Sequence, residues 1–232
     1  MEGYLLVDKP AGWTSFDAVK YIRSIISKAT GLPVKKIKVG HSGTLDPFAT
    51  GLLILLVGKK YTTKAESLLK QDKSYDVVLE LGKTSTTGDP EGDITISKTS
   101  KQPSIEQIKA VLMAFTGEIE QTPPIYSAIR IGGVRAYKLA RENKTVSIEP
   151  RKVKIYAIDV QTYEYPYLKF RVKVSSGTYI RSLVSDIGNR LGTGAYTNEL
   201  RRISIGNYSI LSAHTIDQIN EQNLRGMLNK SI

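Results

Sequence analysis

The sequence predicts an α+β domain in which antiparallel strands mix with helices, and two patterns carry that reading. Residues 167–174 place Leu168, Phe170, Val172 and Val174 on one face and Lys169, Arg171 and Lys173 on the other. That period of two marks a half-buried strand with a basic solvent face. Val19, Ile22, Ile25 and Ile26, and again Ile180, Leu183, Val184, Ile187 and Leu191, recur at helical spacing. No repeat, heptad, low-complexity segment or linker interrupts residues 1–232, which read as one domain.

The elements follow in order. Gly3 to Asp8 reads as a buried strand ended by Lys9-Pro10-Ala11-Gly12. Thr14 and Ser15 offer an N-cap for a helix running from Ser15 to about Ala29. Gly31 to Gly51, rich in Gly, Pro, Thr and Lys, reads as a long loop, a class more often functional than accidental. Strands are expected at 52–57 and 74–81, a helix at 61–69, and a turn-rich loop at 84–93. Ser104 with Gln107 forms a capping box for a helix carrying Ile105, Ile108, Val111, Leu112 and Phe115. From Thr122 to Pro150 the periodicity breaks, with a Pro-Pro pair, a Gly-Gly pair and many basic residues. Strands at 153–163 and 167–174 follow, then the helix of Ile180 and a weaker one over 215–227.

Composition removes several chemistries. A chain of 232 residues with 41% hydrophobic and 24% charged residues holds a real core and is not globally disordered. With no cysteine it has no disulfide, thiolate nucleophile, Fe–S cluster or Cys-ligated zinc, and two histidines make a His-rich metal site improbable. No apolar run approaches the roughly 20 residues that span a membrane. The start Met1-Glu2-Gly3-Tyr4 lacks the pattern of a signal peptide, so the expected location is the cytoplasm. Thirty-three Lys and Arg against 22 Asp and Glu give +11, which favours a polyanion such as RNA.

Four segments attract attention: residues 40–51 (Gly-His-Ser-Gly-Thr-Leu-Asp-Pro-Phe-Ala-Thr-Gly), Lys73-Ser74-Tyr75, residues 176–181 (Ser-Gly-Thr-Tyr-Ile-Arg) and Leu200-Arg201-Arg202. Singly, each has an ordinary role: a turn aspartate and histidine, a strand tyrosine, a helix entry, an exposed arginine. Together they supply an aspartate that a cation can hold ionised, an arginine fork, and tyrosines that stack or move protons. That set suits chemistry on a nucleotide taken out of its stack, without naming the reaction.

At these segments the chain resembles the TruB family of tRNA pseudouridine synthases. Residues 8–15 (Asp-Lys-Pro-Ala-Gly-Trp-Thr-Ser) resemble its opening motif, and residues 40–47 continuing through 49–53 its catalytic motif. Lys73-Ser74-Tyr75 resembles the strand with the active-site tyrosine. Pro124-Ile125-Tyr126-Ser127-Ala128, Gly133, Arg135-Ala136-Tyr137 and Ala140-Arg141 resemble its RNA-gripping thumb. Residues 177–183 and 200–202 match its C-terminal motifs, so the resemblance covers about Gly3 to Gly206.

The resemblance implies a pseudouridine synthase fold: a mixed, mainly antiparallel central sheet flanked by helices, with a thumb-like insertion over 122–152. It implies isomerisation of the uridine at position 55, in the TΨC loop of tRNA, by base flipping and an essential aspartate. Asp46 becomes the ribose-acting carboxylate, by a covalent or a glycal route; Arg181 pairs with it, and Tyr75 stacks on the base and takes the C5 proton. Tyr179 and Leu200 line the pocket, His41 helps displace the base, and Lys9 and Lys73 join the substrate-binding set. Arg130, Arg135, Tyr137, Lys138 and Arg141 bind RNA; residues 130–154 hold eight Lys/Arg and two Glu. No cofactor, metal, membrane or obligatory protein partner is implied, and the expected state is a monomer on the tRNA T-arm. Typical members carry a C-terminal PUA domain after Leu-Arg-Arg; here the short tail 207–232 stands in its place. The competing expectations are a non-catalytic RNA-binding factor, against which the set Asp46, Tyr75, Tyr179 and Arg181 speaks, and a synthase serving a guide-RNA complex.

Overall fold

The structure, a computed structural model, describes residues 1–99, 102–127, 129–141 and 148–231, with the main chain alone at Arg130, Ile131, Arg135, Tyr137, Lys138 and Arg141. In chain order the elements begin with β1 (Gly3–Lys9), α1 (Ser15–Thr30), β2 (Val39–His41), β3 (Thr50–Val57), α2 (Lys59–Thr62), α3 (Ala65–Leu69) and β4 (Lys73–Leu81). Next come β5 (Lys83–Ser85), β6 (Ile94–Ile96), α4 (Ile105–Ala114), β7 (Gly117–Gln121), β8 (Arg130–Ile131), β9 (Val134–Arg135) and α5 (Ala136–Arg141). The chain closes with β10 (Arg151–Glu164), β11 (Tyr167–Val174), α6 (Ile180–Leu191), β12 (Ala195–Ile205), β13 (Tyr208–Ser209), β14 (His214–Thr215) and α7 (Leu224–Met227). It divides into two compact units, residues 1–75 with 200–232, and residues 76–199.

In the first unit β1 and β3 pair antiparallel from Gly3 opposite Val57 to Lys9 opposite Gly51. β14 runs parallel to β1, β12 parallel to β3 at Arg201 opposite Thr50, and β2 antiparallel to β3. Leu53, Leu55 and Val57 pack with the apolar stripe of α1, while Leu52, Ile54 and Leu56 pack with Tyr61, Leu68 and Ile205. Burial on both faces is why 52–57 reads as an unbroken apolar run rather than an alternation. Helix α1 opens on a capping box in which Thr14 and Asp17 bond each other's main chain, and closes on Gly31 at φ 70°.

In the second unit the strands lie in the order β4-β11-β10-β7. β10 pairs antiparallel with both β11 and β7. The alternation of β11 holds as read: Leu168, Phe170, Val172 and Val174 are buried and the residues between them exposed. Its solvent face is less basic than β11 alone suggests. Arg171 pairs with Asp76 at 2.7 Å, Lys152 pairs with Glu118 at 3.1 Å, and Asp159 lies opposite Arg171. The capping box of Ser104 and Gln107 forms at α4, which packs on α6 and β10.

The structure corrects several boundaries. The expected helix over 61–69 is two short pieces, α2 and α3, and that over 215–227 is a 3-10 turn at Ile216–Gln218 followed by α7. The loop 31–51 contains β2, which completes a hairpin with β3. β12, unpredicted, carries Ala-Tyr-Thr-Asn-Glu-Leu-Arg-Arg-Ile-Ser-Ile, whose charges hide the strand period. Among the described residues no helix is long and apolar enough to cross a membrane.

Candidate active site

Asp46 lies in the turn between β2 and β3, and the main chain on both sides of it is held residue by residue. The Ser42 amide donates to the Ile54 carbonyl at 3.0 Å. The Gly43 and Thr44 carbonyls accept from Arg202 at 3.1 and 3.5 Å. Buried Ser15 accepts the Leu45 amide at 2.8 Å, and its hydroxyl donates back to the Leu45 carbonyl at 3.3 Å. The Pro47 carbonyl accepts from the Gly12 amide at 2.9 Å and from Lys9 Nζ at 3.2 Å, and the Ala49 amide closes a turn on the Asp46 carbonyl at 3.2 Å. Hydrogen bonds at this density hold the main chain of the Asp46 loop in place, which is what preorganised chemistry needs.

Glycines make the approach possible. A Cβ at Gly51 would sit 2.3 Å from the Arg202 carbonyl oxygen, so β3 and β12 meet there main chain to main chain. Gly51 also stands at φ 105°, in the region that favours glycine.

Two lysines expected on substrate are turned inward. Lys9 is 0% exposed, and its ammonium donates to the carbonyls of Pro10, Trp13 and Pro47 at 2.8, 2.6 and 3.2 Å. It joins the opening motif to the aspartate loop. Lys73 is also buried and donates to the carbonyls of Leu69 and Gln71 at 2.9 and 2.5 Å. Burial, then the neighbouring Arg202 cation, push its pKa down to about 8, with Asp72 opposing. Tyr75, two residues on along β4, is buried, as is Leu200 on β12; His41, half-buried, ends β2 opposite Leu55.

In the second unit Arg181 is the second residue of α6 and is 4% exposed. Its Nη1 lies 3.2 Å from Oδ2 of the equally buried Asp89, and its fork donates to the carbonyls of Thr87 and Tyr126 at 2.7 and 2.8 Å. Asp89 is held in turn: Oδ1 accepts the Thr87 hydroxyl at 2.5 Å and the Glu91 amide at 3.0 Å. A buried arginine so oriented presents a fixed cation rather than a swinging one. Tyr179, the N-cap of α6, is gripped at its main chain by buried Gln121, which accepts the Tyr179 amide at 2.8 Å and donates to its carbonyl at 3.1 Å. Arg151 stacks over the Tyr179 ring at 5.0 Å and donates to the Gly177 carbonyl.

Asp89, Gln121 and Arg202, which hold the Arg181 guanidinium, the Tyr179 main chain and the aspartate loop, carry no role in the sequence reading. Asp89 sits in a Gly-Asp-Pro-Glu-Gly-Asp stretch that turn chemistry alone explains. For Arg202 the signal was present, as the last residue of a motif in which Leu200 alone had a role. The side chains of Arg130, Arg135, Tyr137, Lys138 and Arg141, expected on RNA, lie outside the described set.

Residues 31–180 match the family model of the TruB family pseudouridylate synthase N-terminal domain, and residues 181–230 that of the tRNA pseudouridylate synthase B C-terminal domain. A tRNA pseudouridine synthase B of Chlamydia felis is 43% identical over 209 residues, covering 90% of this chain and 85% of that protein. The protein of the same name from Clostridium acetobutylicum is 42% identical over 225 residues, covering 97% and 74%. Among solved structures, a Cbf5-Nop10-Gar1 complex matches at TM-score 0.69 and 28% identity, covering 98% of this chain and 60% of that one. An H/ACA RNP bound to a substrate RNA containing 2'-deoxyuridine matches at TM-score 0.65 and 30% identity, covering 93% and 51%. The chain thus spans between half and three fifths of those two structures' chains.

These matches define the class, pseudouridylate synthases. Within it, the chain belongs to the TruB family.

Proposed function

We propose that the chain isomerises uridine 55, in the TΨC loop of tRNA, to pseudouridine, with Asp46 acting at the ribose and without a cofactor. The observation that carries this reading is the aspartate loop, fixed on both sides of Asp46 by Arg202, Ser15, Lys9 and Gly12. Substrate choice rests on the relatives named tRNA pseudouridine synthase B, of which the chain covers 85% and 74% in the two compared.

In this reading the target uridine leaves its stack and enters the site, with His41 packing where it departs. Asp46 acts at the ribose as the C1′–N1 bond breaks. The freed uracil turns, C1′ bonds to C5, the C5 proton passes to Tyr75 and N1 takes up a proton, so atoms and electrons balance as an isomerisation. Arg181 is the cation that keeps Asp46 ionised, a role that suits a guanidinium already oriented by Asp89. Tyr179 and Leu200 shape the walls around the base.

The tRNA grip is assigned to the thumb, residues 122–152. Residues 76–199 carry 17 Lys/Arg and 14 Asp/Glu, and the stretch 130–154 alone carries eight and two of these. Outside that stretch the unit has more acids than bases, so phosphates are drawn to the thumb. The protein works on the T-arm as a cytoplasmic monomer in this account. The test is to incubate it with unmodified tRNA and map pseudouridine chemically: product in the TΨC loop supports the reading, and product elsewhere rejects the substrate assignment.

A further inference from the structure

Arg202 is 1% exposed and is the largest fully buried side chain among the described residues, and no carboxylate of those residues pairs with it. Its Nε donates to the Leu52 carbonyl at 2.7 Å, Nη2 to Gly43 at 3.1 Å and Nη1 to Thr44 at 3.5 Å. Gly43 and Thr44 precede Asp46, and Leu52 follows it. One planar group therefore ties the two ends of the aspartate loop together. Its own anchor is firm, because Arg202 lies opposite Gly51 where the two main chains meet.

Stability alone does not call for this residue. Burying a cation without a counter-ion is costly, and an apolar side chain of similar volume serves a core as well or better. What the guanidinium uniquely supplies is a rigid fork that fixes the separations of three carbonyls; an ammonium at the same place is a point charge without that geometry. Gly43 marks the contact: a Cβ there would meet Arg202 Nη1 at 3.7 Å and Lys73 Cε at 4.0 Å. Two buried cations thus lie beneath the start of the loop.

We infer that Arg202 is a positioning residue for isomerisation, setting the aim of the Asp46 carboxylate through the loop backbone. The inference rests on the role given to Asp46 above. Its test uses the full chain with Arg202→Lys and Arg202→Ala, measuring single-turnover pseudouridine formation, tRNA affinity and the circular dichroism of the fold. The expected result is a rate at least about tenfold lower in Arg202→Lys, with tRNA affinity within about twofold. Arg202→Ala loses more, and added methylguanidinium at millimolar concentration restores part of its rate while leaving the wild type unchanged. A folded Arg202→Lys with the wild-type rate overturns the inference, as does a rate loss that only follows lost tRNA binding. Failure of methylguanidinium to rescue a folded Arg202→Ala also overturns it. If Arg202→Ala does not fold, the Lys variant decides. The wild type in the same assay separates the two readings: no pseudouridine from it refutes the function itself, whereas an active wild type with an equally active Lys variant refutes the positioning role alone.

Discussion

Asp89 and Arg181 form an ion pair at 3.2 Å in which each side chain is 4% exposed. The carboxylate also accepts from Thr87 and Glu91, so the arginine is held by an anion that is itself held. A pair buried this way is worth more as a geometric device than as a source of stability. Removing one partner is the informative change. Asp89→Asn is expected to lower the rate of pseudouridine formation by about ten- to a hundredfold, because the guanidinium loses its fixed aim. Asp89→Ala, which strands the buried cation, is expected to cost about 3–5 kcal/mol in chemical denaturation as well. A wild-type rate in Asp89→Asn removes the pair from the mechanism.

Gln121 tests the helix entry. It bonds both main-chain groups of Tyr179, the residue before the first turn of α6. Gln121→Leu leaves an amide and a carbonyl without these partners, at a cost of about 1–3 kcal/mol. The unfolding midpoint should fall, and so should the rate of a step that depends on Tyr179 and Arg181. An unchanged rate at full occupancy by tRNA shows that the entry has no catalytic consequence.

Lys73 gives stability a particular dependence on pH. Its folded pKa is about 8, below the 10.5 of an unperturbed lysine. Between those values the unfolded chain binds more protons than the folded one, so stability rises with pH. Below pH 8 the cost of the buried ammonium is fully present. Relative to Lys73→Met, the wild type should gain about 2 kcal/mol of unfolding free energy between pH 7 and 9.5, measured by denaturant titration at each pH. A constant difference across that range refutes the assignment.

Salt dependence reports on the thumb. Neutralising Arg130, Arg135, Lys138 and Arg141 together should weaken tRNA binding and flatten its dependence on salt, since each phosphate contact releases counter-ions. An unchanged slope takes the thumb out of the interface.

What could be read beforehand follows from where the information lies. The alternation of β11, the N-cap of α1, the capping box of α4 and the apolar run of β3 are local patterns, and each forms as its own residues dictate. β12 was illegible because charged residues with long-range partners interrupt its period, among them Arg201 with Asp8 at 2.6 Å and Arg202 with Leu52. The inward course of the two lysines was illegible for the same reason. A lysine in a motif is ordinarily a solvent-facing contact, and only the fold shows Lys9 and Lys73 turned onto main-chain carbonyls. Asp89 looked like a turn former and is one, through the Glu91 amide; its second oxygen on Arg181 comes from a residue 92 positions away.

The central claim is that Asp46 carries the reaction on a loop whose backbone is already in place. The most direct measurement is pseudouridine formation by Asp46→Asn under single turnover, alongside its affinity for unmodified tRNA. The amide preserves the shape of the loop and removes the charge. No detectable product is the outcome expected of this mechanism, with affinity within about a few fold of the wild type, because binding rests on phosphate contacts elsewhere. Product formed at the wild-type rate would contradict it.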